Sequence, residues 1–161
     1  MNDRRTPIIA ELDKNLENTT AFFKSLSPDE LSIQVYQDGA QWTVQQVLAH
    51  FITIEGSMQW LFKNILAGGP GSPDGFDVER FNRTQPKKYD GQTIDELIAE
   101  FRSVRNETIA IVRSISDDDL DREGRHAFHG HGKLERFIHW AYEHVELHLE
   151  DLHQRLQKGV L

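Results

Sequence analysis

The chain has 161 residues, a hydrophobic fraction of 38% and a formal charge of −8, from 26 acidic side chains against 18 lysines and arginines. This length and apolar content suffice for a core, so we expect one domain over residues 1–161. The acidic balance argues against a nucleic-acid partner, and the lack of cysteine excludes disulfides, thiolate metal sites and a cysteine nucleophile.

Nothing in the sequence indicates a membrane segment. No apolar run approaches the ~18 residues of a membrane span. The first residues, Met-Asn-Asp-Arg-Arg-Thr-Pro, do not resemble the apolar core of a signal peptide. We therefore expect a cytoplasmic protein that acts on small molecules.

The first half of the chain contains two stretches with apolar residues at helical spacing. One runs from about residue 6 to residue 25, and the Ser-Pro-Asp-Glu at 27–30 predicts a short extra helical turn after it. The second opens at the capping box of Thr43 and Gln46. It stops at Gly68, where the glycine- and proline-rich residues 68–75 predict an irregular, mobile loop.

Two further helices are predicted in the second half. The third starts at the capping box of Thr93 and Glu96 and runs to about residue 114, with another short turn at 116–120. The fourth runs from about residue 133 to 157 and ends at Gly159. The chain is therefore predicted to be an all-α four-helix bundle with short extra helical turns in its connections.

Three histidines face the predicted core. His144 and His148 lie four residues apart on the fourth helix, so their imidazoles lie one above the other and can reach one metal ion. At about 100° per residue, both lie within or at the edge of the apolar face, whereas His139 and His153 point away. On the second helix, His50 lies at the edge of the buried stripe.

These inward histidines have two interpretations. A buried imidazole needs partners for both ring nitrogens, and an unpartnered one costs about 1–3 kcal/mol. For any single histidine, a hydrogen-bonded core position is the simpler explanation. For three of them on two helices, a shared metal is simpler than three separate hydrogen-bond arrangements. Spacing alone leaves both open.

The residues around the histidines resemble a known family. The segment 42–50, Trp-Thr-x-x-x-Val-Leu-Ala-His, followed by Glu55, is similar to the second-helix signature of DinB/YfiT-like proteins. The run 144–152, His-x-x-x-His-x-x-x-Leu, is similar to their fourth-helix signature. The segment 77–82 resembles their short Asp…Asn segment between the second and third helices, and the helix order matches over nearly the full chain.

The resemblance implies a fold and a site. It implies a DinB-like four-helix bundle in which His50, His144 and His148 hold a divalent metal: zinc, nickel or iron. It also implies that homodimers are common. Some members of the superfamily are isomerases or transferases that use a low-molecular-weight thiol such as mycothiol or bacillithiol, so such a thiol is an expected co-substrate.

A mechanistic hypothesis follows from three imidazole ligands. The metal keeps open positions and lowers the pKa of a bound water or thiol, which then acts on a small-molecule substrate by transfer, isomerisation or hydrolysis. The alternative is a non-catalytic metal- or ligand-binding stress protein, or a dimerising interaction module. A general acid or base beside the metal favours the enzyme.

Three other polar residues are candidates for a catalytic role. Asn82 can polarise a substrate or line the pocket; capping a turn is the alternative. Glu55 and Asp151 can each orient a ligand histidine through a hydrogen bond. For both carboxylates, a solvated position at the helix edge is the simpler interpretation.

A second group of histidines precedes the fourth helix. His126, His129 and His131 alternate with glycines in residues 123–132, which predicts a flexible, solvated loop. A second metal site is the alternative. Because the segment leads directly into the fourth helix, it can also lie over the pocket.

Overall fold

The computed structural model describes residues 3–158. Within that range the α-helices are α1 (Arg5–Lys24), α2 (Pro28–Leu31), α3 (Val44–Leu66), α4 (Val78–Thr84), α5 (Ile94–Ser114) and α6 (Leu134–Gln157). Pro86–Tyr89 and Asp118–Asp121 form 3-10 turns, and β1 (Glu123–His126) pairs with β2 (Gly130–Lys133) as an antiparallel hairpin. Gly159, the predicted end of the fourth helix, lies outside the described residues.

The four long helices, α1, α3, α5 and α6, form the predicted four-helix bundle, so the fold prediction is confirmed. Both α1 and α3 pack against α5 and against α6, which gives the order α1, α5, α3, α6 around the bundle. The connections from α1 to α3 and from α5 to α6 therefore cross the ends of the bundle, and the short extra turns lie in them. None of the helices in the described range is long and apolar enough to cross a bilayer.

Side-chain caps mark the starts of α2, α3 and α5. The capping box predicted for α3 forms, and the short turn predicted at 27–30 is α2, which has a capping box of its own; in both, the hydrogen bonds are made in both directions. At the start of α5 the hydroxyl of Thr93 accepts the N–H of Glu96, which is half of the predicted box. The start of α3 is thus fixed at Thr43, and His50 lies two helical turns further along.

A buried ion pair lies between the two clusters that make up the apolar core. The guanidinium of Arg105 on α5 donates to the carboxylate of Glu55 on α3, with Nε–Oε2 and Nη2–Oε1 distances of 2.8 Å. The Thr108 hydroxyl donates to the same carboxylate at 2.9 Å. The Arg105 guanidinium also donates to acceptors on α1 and α6, namely Leu12 O, Asn15 Oδ1 and Ala141 O. Arg105 therefore contacts all three other long helices.

The solvated position expected for Glu55 is wrong, because its side chain is only 2% exposed. A buried carboxylate needs a partner charge, and Arg105, itself 0% exposed, supplies it. The hydrogen bonds of Glu55 go to Arg105 and Thr108, not to an imidazole.

Residues 123–132, predicted to be a flexible loop, belong to the β1–β2 hairpin. The register pairs Glu123 with Lys133 and His126 with Gly130. Glycines face each other at positions 124 and 132, so the strands lack the alternating apolar pattern from which a strand is predicted. The prediction of a loop here is therefore corrected.

The loop 68–75 between α3 and α4 is bonded to this hairpin, contrary to the predicted mobile loop. Gly71 forms a parallel bridge with Arg125, whose N–H donates to Pro70 O at 2.8 Å and whose carbonyl accepts from Ser72 N at 2.7 Å. Gly71 has a φ of +93°, and a Cβ there would lie 2.3 Å from the Arg125 oxygen, so only glycine fits. The loop 68–75 and the β1–β2 hairpin are therefore joined by backbone hydrogen bonds.

Candidate functional site

Three imidazoles meet between α3 and α6. The Nε2 atom of His144 lies 3.2 Å from that of His50 and 3.1 Å from that of His148. Two imidazole nitrogens that bind one zinc ion at about 2.0–2.1 Å lie roughly 3 to 3.4 Å apart. The group can therefore hold a metal ion, and in the described part of the chain it is the one such cluster of histidine and carboxylate side chains.

Burial keeps the three imidazoles neutral at pH 7. It lowers the pKa of His144 to about 3, and it also lowers the pKa values of His50 and His148. Neutral imidazole is the form that binds metals. The Nδ1 atoms of His50 and His144 are buried, with no hydrogen-bond partner among residues 3–158. The shared Nε2 position is thus where these two rings find a partner.

Tyr36 fixes the tautomer of the third ring. Its hydroxyl lies 2.6 Å from His148 Nδ1 and 2.7 Å from Asp151 Oδ2. Burial and the Asp151 carboxylate raise the pKa of Tyr36, so the phenol stays protonated and donates to Asp151. It must then accept the Nδ1 proton of His148, which leaves the lone pair on Nε2. Asp151 thus reaches His148 through Tyr36, a residue that the sequence patterns did not indicate.

We expect the Tyr36→Phe variant to bind metal about 10- to 100-fold more weakly, because it loses the acceptor that orients His148. The affinity is measured by competing zinc against a chelator of known strength. The matched control is Tyr89→Phe, which removes a hydroxyl remote from the histidines. An unchanged zinc affinity in Tyr36→Phe would contradict this role.

Trp42 covers the ring of His50. The two rings stack with centroids 4.3 Å apart and an interplanar angle of 25°. Trp42 directly precedes Thr43, the residue that caps α3, so its backbone lies at the start of the helix that carries His50. His50 is therefore held on one face by Trp42.

Two cavities open beside the histidines. The apolar cavity, about 430 Å³, is lined by His50 and His144 and by four aromatic side chains: Trp60, Phe76, Phe128 and Trp140. The polar cavity, about 480 Å³, lies at His148 and includes Tyr36, Asp38, Glu79 and Arg83 in its lining. Asn82 on α4 lines both, and its Oδ1 is buried without a partner among the described residues.

The hairpin brings His126 into the wall of the apolar cavity. Its side chain is buried, and its Nδ1 accepts the N–H groups of Phe128 at 2.9 Å and His129 at 3.1 Å. The prediction of a solvated histidine is wrong for His126, whereas the side chain of His131 is 69% exposed. The alternative that this segment lies over the pocket agrees with the structure.

Burial lowers the pKa of His126 to about 4. The unfolded chain, with a histidine pKa of about 6.5, binds a proton below that pH, and the folded state does not until about pH 4. The contribution of His126 to the free energy of unfolding therefore has its full value above pH 6.5 and is lost as the pH falls from 6.5 to 4. When the pH is lowered from 7 to 5, we expect the free energy of unfolding of His126→Asn to fall by about 1–2 kcal/mol less than that of the parent.

This difference is measured by denaturant unfolding in EDTA, so that the other histidines contribute equally in both proteins. Asparagine keeps an acceptor for the two hairpin N–H groups. Parallel pH profiles for parent and variant would contradict the prediction.

Solved structures share this fold. YfiT from Bacillus subtilis, described as a probable metal-dependent hydrolase with an unusual four-helix bundle topology, superposes with a TM-score of 0.78 at 16% identity, covering 98% of this chain and 90% of its own. An uncharacterised protein from Clostridium difficile 630 gives a TM-score of 0.75 at 16% identity, with coverages of 100% and 99%. No curated protein matches the chain significantly.

A further similar structure corrects the prediction on partners. The colibactin self-resistance protein ClbS, determined in complex with double-stranded DNA, gives a TM-score of 0.72 at 15% identity and covers 100% of this chain and 99% of its own. A protein of this fold is thus seen with DNA, so the exclusion of nucleic acid is overturned. That exclusion was drawn from net charge, which describes the whole surface and not the local field at a binding face.

The family is shown by the sequence itself. The model of the DinB superfamily matches residues 11–152. That range includes the three histidines, the tryptophan that covers His50 and the buried ion pair. The resemblance inferred from the helix signatures is confirmed, and the chain belongs to the DinB superfamily.

Proposed function

We propose that this protein is a metal-dependent enzyme in which His50, His144 and His148 hold a divalent cation, zinc, nickel or iron. The apolar cavity beside them binds a small-molecule substrate. The observation that carries the proposal is the convergence of three neutral imidazole Nε2 atoms at the cavity wall. The description of YfiT as a probable metal-dependent hydrolase supports it, because the two proteins share a fold.

A cation held by the three histidines would supply Lewis acidity, which would lower the pKa of a coordinated water or thiol and polarise a carbonyl. The chain's own residues hold and orient the reactants. Asn82 presents its unpartnered Oδ1 where the two cavities meet, and Tyr36 holds His148 in the tautomer with a free Nε2. We assign neither Glu55 nor Asp151 a contact with substrate, because their carboxylates bond to Arg105 and Tyr36.

Two nucleophiles are compatible with this arrangement. Water gives hydrolysis. Because the chain has no cysteine, a thiol has to come from a low-molecular-weight co-substrate, and the polar cavity at His148 has side chains of both charges to bind one. The assay must therefore be run with and without an added thiol.

The test uses untagged protein. Its metal is identified by mass spectrometry. Two reactions are then measured: hydrolysis of 4-nitrophenyl esters, and displacement of chloride from 1-chloro-2,4-dinitrobenzene by a thiol. We expect the activity to be lost in chelator, regained with one of the three metals and absent in His50→Ala. A full complement of metal with no acceleration of either reaction would favour the alternative, a non-catalytic metal-binding protein.

A further inference from the structure

The apolar cavity carries the features of a site for an uncharged ligand. Among residues 3–158, four large apolar side chains are exposed, and three of them, Trp60, Phe76 and Phe128, line this cavity. Exposed apolar surface of this kind is concentrated at binding sites. Within the described chain, no lysine, arginine or carboxylate lines the cavity. With no cation at the histidines, a charged ligand would therefore lose its hydration without gaining an opposite charge.

His126 is a polar side chain in the lining of the apolar cavity, and its hydrogen bonds determine which ring nitrogen carries the proton. Its Nδ1 needs a lone pair to accept two backbone N–H groups, so in the neutral ring the proton lies on Nε2. Within the described residues, this Nε2 has no hydrogen-bond partner, and it is not among the polar atoms sealed from solvent. The side chain lines the cavity, so Nε2–H is a donor held ready by the hairpin.

We propose that the apolar cavity binds an uncharged, largely aromatic molecule and that His126 donates a hydrogen bond from Nε2 to an oxygen acceptor on it, such as a carbonyl. As the identity of a substrate, this rests on the proposed function; as a binding site, it needs no metal. Phe128 and Trp140, stacked 5.4 Å apart at 9°, supply an aromatic wall for the body of the ligand. His126 thus selects for the acceptor, and the aromatic side chains select for shape.

The test compares three probes of one size: 2-acetylnaphthalene, 2-ethylnaphthalene and 2-naphthoate. Their binding to the full-length protein is measured by equilibrium dialysis, with and without EDTA. We expect the ketone to bind about three- to tenfold more tightly than the hydrocarbon, as one neutral hydrogen bond allows, both with and without EDTA. In EDTA, where no cation lies beside the cavity, the carboxylate should bind most weakly.

The variant His126→Asn separates the donor from the fold, because asparagine keeps the acceptor for the hairpin and loses Nε2–H. It should lose the three- to tenfold preference for the ketone while binding 2-ethylnaphthalene like the parent. His131→Asn, on the exposed side of the same hairpin, should change neither affinity. Tightest binding of 2-naphthoate in EDTA, a ketone preference that survives in His126→Asn, or one that vanishes in EDTA would each overturn the proposal. Absence of catalytic turnover would contradict the proposed function alone.

Discussion

Replacing His144 with alanine is expected to abolish metal binding. Its Nε2 is the middle atom of the three, 3.2 Å from that of His50 and 3.1 Å from that of His148, so its loss leaves two nitrogens without the atom between them. Changing a residue that only supports a ligand costs about 10- to 100-fold in affinity. Removal of the ligand itself should cost more than 100-fold, together with any metal-dependent activity.

The measurement is metal content after dialysis, followed by zinc titration against a competing chelator. His153→Ala is the matched control, since His153 lies on the same helix and is exposed. Both variants should retain the helical circular dichroism of the parent. Stoichiometric metal in a folded His144→Ala variant would remove the basis of the metal site.

The second large effect is expected at the buried ion pair. Arg105→Met leaves the Glu55 carboxylate inside the bundle without a cation and removes the bonds to α1 and α6. Breaking one side of a buried pair costs about 3–5 kcal/mol of unfolding free energy. For a protein of this size, that is a large fraction of the total stability.

Urea unfolding followed by fluorescence and circular dichroism gives this free energy. The matched control is Arg102→Met, one turn away on α5, whose exposed pair with Glu17 should cost about 1 kcal/mol or less. The double variant Glu55→Leu/Arg105→Met should regain part of the loss, because no charge is left unpaired. Equal costs for the Arg105 and Arg102 variants would show that the buried pair has no special weight.

The four long helices are predictable because their signals are local. Capping residues and apolar spacing lie within one helix, and the bounds found in the structure differ from the predicted ones by about one residue. The histidines on α6 follow from the same spacing. Their partner on α3 is 94 residues away; its place at the edge of the apolar stripe indicated it, and the helix signatures of the family strengthened the assignment.

The buried ion pair was not predicted, although the spacing of buried residues on α5 places Arg105 on the inner face of that helix. Arg105 follows Phe101 by four residues and precedes Thr108 by three, and all three are buried on α5. Arginine and glutamate are rarely buried unless paired, so Glu55 was taken as solvated when considered alone, and Arg105 was not singled out. An arginine on the inner face of one helix and a glutamate on the inner face of another together indicate a buried ion pair.

Tyr36 and the hairpin carry no comparable signal. Tyr36 lies in the irregular connection between α2 and α3, where periodicity says nothing about direction. The hairpin strands are four residues long and rich in glycine. The strands are held in place by contacts with distant segments, in particular the loop 68–75. A local sequence pattern does not reveal contacts of that kind.

The bridge between Gly71 and Arg125, made by backbone hydrogen bonds of Arg125 to the residues on either side of Gly71, links the length of one loop to the shape of the apolar cavity. Ser72, Pro73 and Phe76 follow the bridge and line the apolar cavity, and His126 lies one residue beyond Arg125 on the other side. An insertion or deletion in this loop would move the cavity wall while leaving the three histidines in place. Under the proposed function, related proteins that differ here can therefore diverge in substrate without any change at the three histidines.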